Sequence, residues 1–378
     1  MKNRIRSLLL LIVFTGIASA ELAVETTSTA KLSPPTAHWM WVGDLVFNAM
    51  EGGKAFLVDG DSGQMLGMLS TGYFFASALQ DSGYQTIYSP EVYMSRGTRG
   101  DRTDIIAVYD PKTLDPVDEI IIPAKSFSGV PVIGHAAIST DDQFIAIYNF
   151  TPAQSVSIVD TKNKKFLHEV ETPGCAEVFA GGARAFNMIC GDGSMLTLTL
   201  DDTGAVTTAR SDKFFDPRID MIDDKMAPYG NFWAFFTKSG KVQMIDMVAG
   251  TPTFAEPWDL FSPDQLADQW MLGGYQYATI CESTGELYVL VHRGGRYTHK
   301  HPGMDVGVYD LKSQKRIRMI SLSHPATSIQ VSPDSKPLLF TADAEHSGVH
   351  VYDAHTGSHK HDVQGIASNP LLFWPVRP

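Results

Sequence analysis

The chain has 378 residues, with 30 Lys and Arg against 42 Asp and Glu, a formal net charge of −12 and a hydrophobic share of 44%. That acidity excludes the basic face expected of a nucleic-acid-binding protein and favours partners that bring complementary basic patches. The length suits either two ordinary domains or one large repeat fold.

In chain order, a basic stretch (Lys2, Arg4, Arg6) precedes an apolar run from Leu8 to Ile17 and the small residues Ala18-Ser19-Ala20. This is the pattern of an export signal over residues 1–20, and it implies a periplasmic location. The apolar run is too short to cross a bilayer of roughly 30 Å, and no later segment approaches the ~18 apolar residues a span needs. No membrane span is therefore expected. Removing residues 1–20 takes away three cations and no acid, so 27 basic against 42 acidic residues leave a net charge of −15. Residues 21–35, rich in Thr, Ser and Pro, are expected to form a flexible arm.

From residue 36 to 378 one motif repeats: a β-prone run ending in an acidic residue, then a turn and a second β-prone run. It reads Phe56-Leu-Val-Asp59, Ala107-Val-Tyr-Asp110, Ser157-Ile-Val-Asp160, Leu198-Thr-Leu-Asp201, Met244-Ile-Asp246, Val306-Gly-Val-Tyr-Asp310 and Val349-His-Val-Tyr-Asp353. The aspartates are 51, 50, 41, 45, 64 and 43 residues apart, spacings near those of four-stranded propeller blades. Preceding runs such as Gln143-Phe-Ile-Ala-Ile-Tyr148, Asn231-Phe-Trp-Ala-Phe-Phe236 and Glu286-Leu-Tyr-Val-Leu-Val291 read as strands. The expected fold is all-β, a seven-bladed β-propeller. Its first copy has room for three strands only, and the orphan run Pro370-Leu-Leu-Phe-Trp-Pro375 is expected to complete that blade, joining the N- and C-terminal strands. The two prolines limit its ladder bonds.

Three cysteines in an exported chain suggest one disulfide and one spare thiol. The midpoint of Cys175 and Cys190 falls between Gly182 and Ala183, inside the turn Gly181-Gly-Ala183. A hairpin closed there sets the two cysteines opposite each other at about 4.5 to 5.5 Å between Cα atoms, inside the disulfide window. Cys281, in the apolar run Ala278-Thr-Ile-Cys281, then remains a free buried thiol. Histidines gather late, at His299, His301, His346, His350, His355, His359 and His361, without a recurring ligand spacing. A solvated surface is expected there, and no metal site. The segment Arg96-Gly-Thr-Arg99-Gly-Asp-Arg102-Thr-Asp104 admits two readings. It is either a loop whose charges pair with Asp101 and Asp104, or an interface in which Arg96, Arg99 and Arg102 meet the carboxylates of a partner. No haem-attachment, zinc, nucleophile-elbow or phosphate-loop motif occurs.

The stretches Val42-Gly-Asp44, Arg96 to Asp104, Ile189-Cys-Gly-Asp-Gly193, Trp270-Met-Leu-Gly-Gly-Tyr275 and Thr298-His-Lys300 occur in an order that resembles the heavy subunits of methylamine and aromatic amine dehydrogenases. The Cys175–Cys190 spacing is similar to a disulfide of that family. The resemblance implies a heavy subunit with no cofactor and no catalytic residue of its own, in a heterotetramer of two heavy and two light chains. The light chain carries tryptophan tryptophylquinone, at which a primary amine is oxidised to aldehyde and ammonia, and the electrons pass to a small periplasmic copper protein. It further implies that Phe47 lies near the mouth of the quinone pocket; read from the residue alone, Phe47 is equally a propeller core side chain. The competing expectation is a non-enzymatic exported propeller, acting as a scaffold or binding protein. A self-contained propeller enzyme would need its own ligand cluster at the central channel.

Overall fold

The run Trp39-Met-Trp-Val-Gly-Asp44 is buried at all six positions. Successive side chains of a strand point to opposite faces. Trp39 and Trp41 accordingly pack with Leu57, Ile87, Ile105 and Tyr109 on one side, and Met40 and Val42 with Phe56, Phe340, Val351 and Phe373 on the other. A sheet covered on both faces needs an unbroken apolar run rather than alternation. Phe144–Asn149 and Leu338–Asp343 are likewise buried along their whole length. The outer strands Gln64–Ser70 and Lys165–Glu171 are mostly half-buried or exposed, which explains their polar sequences.

The computed structural model describes residues 30–46, 49–73, 77–126, 132–247 and 251–378. The export signal, most of the expected arm and Phe47 lie outside the described residues. Within the body Leu32–Pro378, the strands form six hydrogen-bonded sheets: four of four strands, one of five and one of eight. This is an all-β propeller, as the repeat predicts. The seven motif copies do not fall on seven separate sheets, because the last two share the eight-stranded one. Its long strand Lys315–Val331 pairs with Gly303–Asp310 through its first half and with Leu338–Asp343 through its second. The single α-helix among the described residues, Pro263–Ala267, is started by a capping box between Ser262 and Gln265. No helix among the described residues is long and apolar enough to cross a membrane.

The repeated aspartates have one local task. Six of the seven stand at the end of the third strand of their unit, with a carboxylate that accepts a backbone N–H of the following turn. Asp59 takes the amide of Asp61 at 3.1 Å, Asp110 that of Lys112 at 2.8 Å and Asp160 that of Asn163 at 2.8 Å. Asp201, Asp310 and Asp353 do the same with Thr203, Ser313 and Thr356. The motif thus records a side-chain-stabilised turn into the outermost strand.

The terminal strands close the first sheet as expected. Pro370–Pro375 is its innermost strand and pairs antiparallel with Trp39–Asp44, from Met40 opposite Pro375 to Asp44 opposite Pro370. The prolines stand at the two ends, where missing N–H donors cost least. Asp44, 3% exposed, fixes the return of the chain. Its carboxylate accepts the amides of Ser368 at 3.0 Å and Asn369 at 2.7 Å.

Candidate functional site

Counting strands outward from the innermost, the loop between the second and third strands leaves the sheet at the same end as the connection to the next sheet. Loops 45–53 and 95–101 are of this kind in the first two sheets, and 294–302 and 344–347 in the eight-stranded sheet. Residues far apart in sequence therefore share one face.

The arginine segment is a tight loop on that face. Ser95 donates its amide to Asp101 O at 2.9 Å, and Arg96 to Arg99 O at 2.9 Å. Gly100 adopts φ +102°, and a Cβ there would meet Ser95 Oγ at 2.3 Å, so the loop needs glycine. The three arginines separate by role. Arg102 forms a forked pair with the buried Asp104, at 2.6 Å for both contacts, and donates to Ser126 O at 2.9 Å. It anchors the loop internally, as the first of the two readings has it. Arg96 and Arg99 are exposed and belong to no ion pair among the described residues, leaving two guanidinium groups available for a partner's carboxylates.

Phe47 lies outside the described residues, but its neighbours show where that loop starts. Leu45 is buried against Leu371, with Met50, Tyr73 and Tyr275 packed beside them. Tyr275 ends the Trp270–Tyr275 stretch, which meets the Thr298–Lys300 stretch directly: the Gly274 amide donates to His299 O at 2.9 Å. Gly274 has φ +126°, and a Cβ would stand 2.4 Å from Thr327 O. These motifs are thus read as one packed assembly of loops around the inner end of the first and eight-stranded sheets.

The hairpin reading holds. Cys175 and Cys190 are directly opposed and bonded, and Cys281 is free and buried. The Cα atoms are 3.9 Å apart, closer than the expected spacing. The register does not run evenly to the turn, because a bulge lies between Ala176 and Phe179, with Glu177 at φ +60°. One extra residue in a strand re-aims a side chain. Here it turns Glu177 inward, where it is 8% exposed and its Oε2 has no hydrogen-bond partner among the described residues.

Glu177 borders a cavity of about 300 Å³ walled by Phe179, Ile189, Phe215, Met221 and Ile222. Burial, followed by repulsion from Asp224, holds its carboxyl well above the usual range, with Lys225 only partly offsetting them. On the neighbouring inner strand, Asp223 receives Lys238 at 2.9 Å and the Tyr277 hydroxyl at 3.1 Å. Burial would raise the Asp223 pKa, but Lys225 and Lys238 overcome it and the carboxylate is held below its ordinary value. The cavity therefore combines largely apolar walls with three acidic side chains, Glu177, Asp223 and Asp224. The sequence carried no signal for Glu177, since the bulge that turns it inward has no motif.

Of the late histidines, His301, His346, His355 and His359 are exposed as expected and His299 and His361 half-buried, and His350 alone departs from the solvated surface. His350 is 1% exposed, because its strand, Gly348–Asp353, is covered on both faces. His355 and His361 instead sit near the opposite end of the sheets, in contact with backbone carbonyls of Ser335 and Asp61.

Comparison with known proteins gives a consistent result. The family described as "Methylamine dehydrogenase heavy chain (MADH)" matches residues 37–374. A methylamine dehydrogenase heavy chain from Methylophilus methylotrophus is 29% identical over 323 residues, 84% of this chain and 79% of the relative. One from Paracoccus versutus is 29% identical over 324 residues, 85% and 75% of the two chains. Among solved structures, a β-propeller domain from Myceliophteria thermophila is similar with a TM-score of 0.56 at 8% identity, over 88% of this chain and 97% of that one, a likeness of fold alone.

Proposed function

The chain belongs to the methylamine dehydrogenase heavy chain family, and from that premise we propose that it is the cofactor-free heavy subunit of a periplasmic, quinone-dependent amine dehydrogenase. The observation that carries this reading is the extent of the family match, residues 37–374, which takes in both strands that close the first sheet. The whole propeller, rather than a grafted segment, is what this chain shares with heavy chains.

In this reading the light subunit docks on the face that bears loops 45–53 and 95–101, in an assembly of two heavy and two light chains. Arg96 and Arg99 meet its carboxylates, Arg102 holds their loop in place, and Phe47 borders the path of the amine. The eight-stranded sheet counts as two blades joined by the strand Lys315–Val331, for seven in all. Tryptophan tryptophylquinone on the light chain supplies the oxidation of a primary amine to aldehyde and ammonia. This chain contributes the docking surface, the walls that exclude water and selection among amines. Electrons then leave one at a time to a small copper protein.

The test is to purify the mature chain alone and together with a light chain encoded beside it, and to record spectra and dye reduction with a primary amine. The expected result is a stable complex that turns over, and a heavy chain that alone has neither visible chromophore nor activity. Turnover by a preparation shown to lack any light chain overturns the subunit assignment. Failure to bind the light chain leaves the exported scaffold in its place.

A further inference from the structure

We propose that His324, Asp343, His346 and His350 form a binding site for one divalent transition ion of the zinc type, at the loop end of the last four-strand unit. The site is independent of the subunit reading above. Its residues come from three places that only the fold joins: His324 from the middle of Lys315–Val331, Asp343 from the end of Leu338–Asp343, and His350 from Gly348–Asp353. His346 lies in the connecting loop.

The geometry already approaches a coordination shell. One ligand atom each from His324, Asp343 and His350 lie within 4.8 Å of one another. Asp343 Oδ2 is 3.0 Å from His350 Nε2 and 3.4 Å from His346 Nδ1. Ligands at zinc bond lengths of about 2.0 to 2.1 Å in a tetrahedron are roughly 3.3 Å apart, so the 3.4 Å edge has that length and the 3.0 Å edge must open slightly. Asp343 is also oriented in advance. Its Oδ1 accepts the amides of Glu345 at 2.8 Å and His346 at 3.0 Å, which leaves Oδ2 for the imidazoles.

The decisive group is His350. Its Nδ1 is 2.5 Å from Asp362 Oδ1 and its Nε2 is 3.0 Å from Asp343 Oδ2. A neutral imidazole has one N–H and can satisfy only one of two carboxylates. The second contact requires either a second proton or a cation between ring and carboxylate. The ring of His324 stacks on that of His350 with centroids 4.3 Å apart and 5° between planes, so the half-buried His324 must turn out of the stack to bring its nitrogen and that of His350 onto one ion. Asp362, also held by His359 at 2.7 Å, then plays the outer-shell part of a carboxylate that orients a metal-bound histidine. Three nitrogens and one oxygen suit zinc rather than calcium or magnesium. His346, largely exposed, leaves the ion a path from solvent.

The experiment is a calorimetric titration of the mature chain, purified without a histidine tag and stripped with chelator, using zinc chloride, with cobalt as a visible probe of four-coordination. One ion per chain is expected, with a thermal midpoint that rises with zinc concentration. His346→Ala, which removes an exposed side chain and does not threaten folding, and His324→Ala should each weaken binding at least tenfold. Asp362→Asn should weaken it ten- to a hundredfold by releasing the His350 ring. His355→Ala and His361→Ala, at the other end of the sheets, should leave it unchanged. Absence of saturable binding, or equal affinity in folded His324→Ala and His346→Ala, overturns the proposal.

Discussion

Asp44→Ala tests whether one buried carboxylate holds the ring shut. The innermost strand of the first sheet comes from the C-terminus, so the join between Pro370–Pro375 and Trp39–Asp44 is the one place in that sheet where no chain connection backs the hydrogen bonds. Asp44 accepts two amides there, from Ser368 and Asn369. A hydrogen bond to a charged group contributes about 1.5 to 3 kcal/mol. Ser368 and Asn369 are exposed, so water reaches their amides and the lower figure applies. Two such bonds give about 3 kcal/mol, reduced to about 2 because the substitution also removes a buried carboxylate. Urea denaturation of the disulfide-intact chain measures the loss, and hydrogen exchange at Ser368 and Asn369 localises it. The expected pattern is faster exchange at these two amides and along Pro370–Pro375, with Asp44→Asn recovering part of the stability. A loss below about 0.5 kcal/mol, with exchange unchanged, would refute the role given to Asp44.

Four further outcomes are expected. Arg96→Glu with Arg99→Glu should leave stability within about 0.5 kcal/mol yet weaken light-chain affinity at least tenfold in a titration, whereas Arg102→Ala, which strands Asp104, should cost about 2 kcal/mol, less than a fully buried pair because Arg102 is partly exposed. Non-reducing peptide maps should show Cys175 joined to Cys190, and replacing both with Ala should cost about 3 kcal/mol for a loop of this length; a bridge to Cys281 would reject the pairing. Burial opposes charge on His38, but Asp61 and Asp334 outweigh it and raise its pKa, so its contribution is complete below about pH 6.5 and fades as pH rises through the higher folded value; the stability difference between wild type and His38→Asn should shrink over that window, and a difference that grows with pH would contradict the assignment. In the assembled enzyme, Phe47→Ala should change the kcat/KM ratio between a bulky and a small amine by roughly ten- to a hundredfold; unchanged selectivity with a lowered Tm would assign Phe47 to the core.

What the sequence made legible was whatever depends on local chemistry. The strand runs, the turn aspartates and the facing cysteines are all encoded within one hairpin, and the closing strand showed itself because Pro370 to Pro375 had no partner of its own. The fusion of the last two units was not legible. It depends on Lys315–Val331 remaining extended through Ser323-His-Pro325, where a proline suggests a break. Nor was the arginine segment separable by type: Arg102 differs from Arg96 and Arg99 only because residue 104 faces inward and residue 101 outward. The histidine cluster was hidden for a related reason. Local ligand spacing identifies a metal site when one helix or loop supplies the ligands, but in stacked sheets the distances are set by register, as with His350 opposite Asp362. His324 lies on a different strand and is absent from the late histidine run.

The division of labour between the two ends of the sheets follows from these observations. At one end nearly every unit uses its aspartate on backbone amides, as Asp59, Asp160, Asp310 and Asp353 do, and His38 pairs with Asp61 and Asp334 across the closing seam. Those side chains are committed to turns and have little capacity left for a ligand. At the other end several polar groups are aimed away from their own backbone: Arg96 and Arg99 outward, Glu177 into its cavity, and the His350 imidazole toward Asp343 Oδ2. A partner that docks on this face meets Arg96 and Arg99 free of ion pairs among the described residues, whereas one that docks on the turn face must compete with the bonds that terminate the strands. Substitutions of the turn aspartates should therefore act on stability and those of Arg96 and Arg99 on binding, whereas Asp44 and Arg102 act on stability although they stand at the loop end, because their side chains are held within the chain.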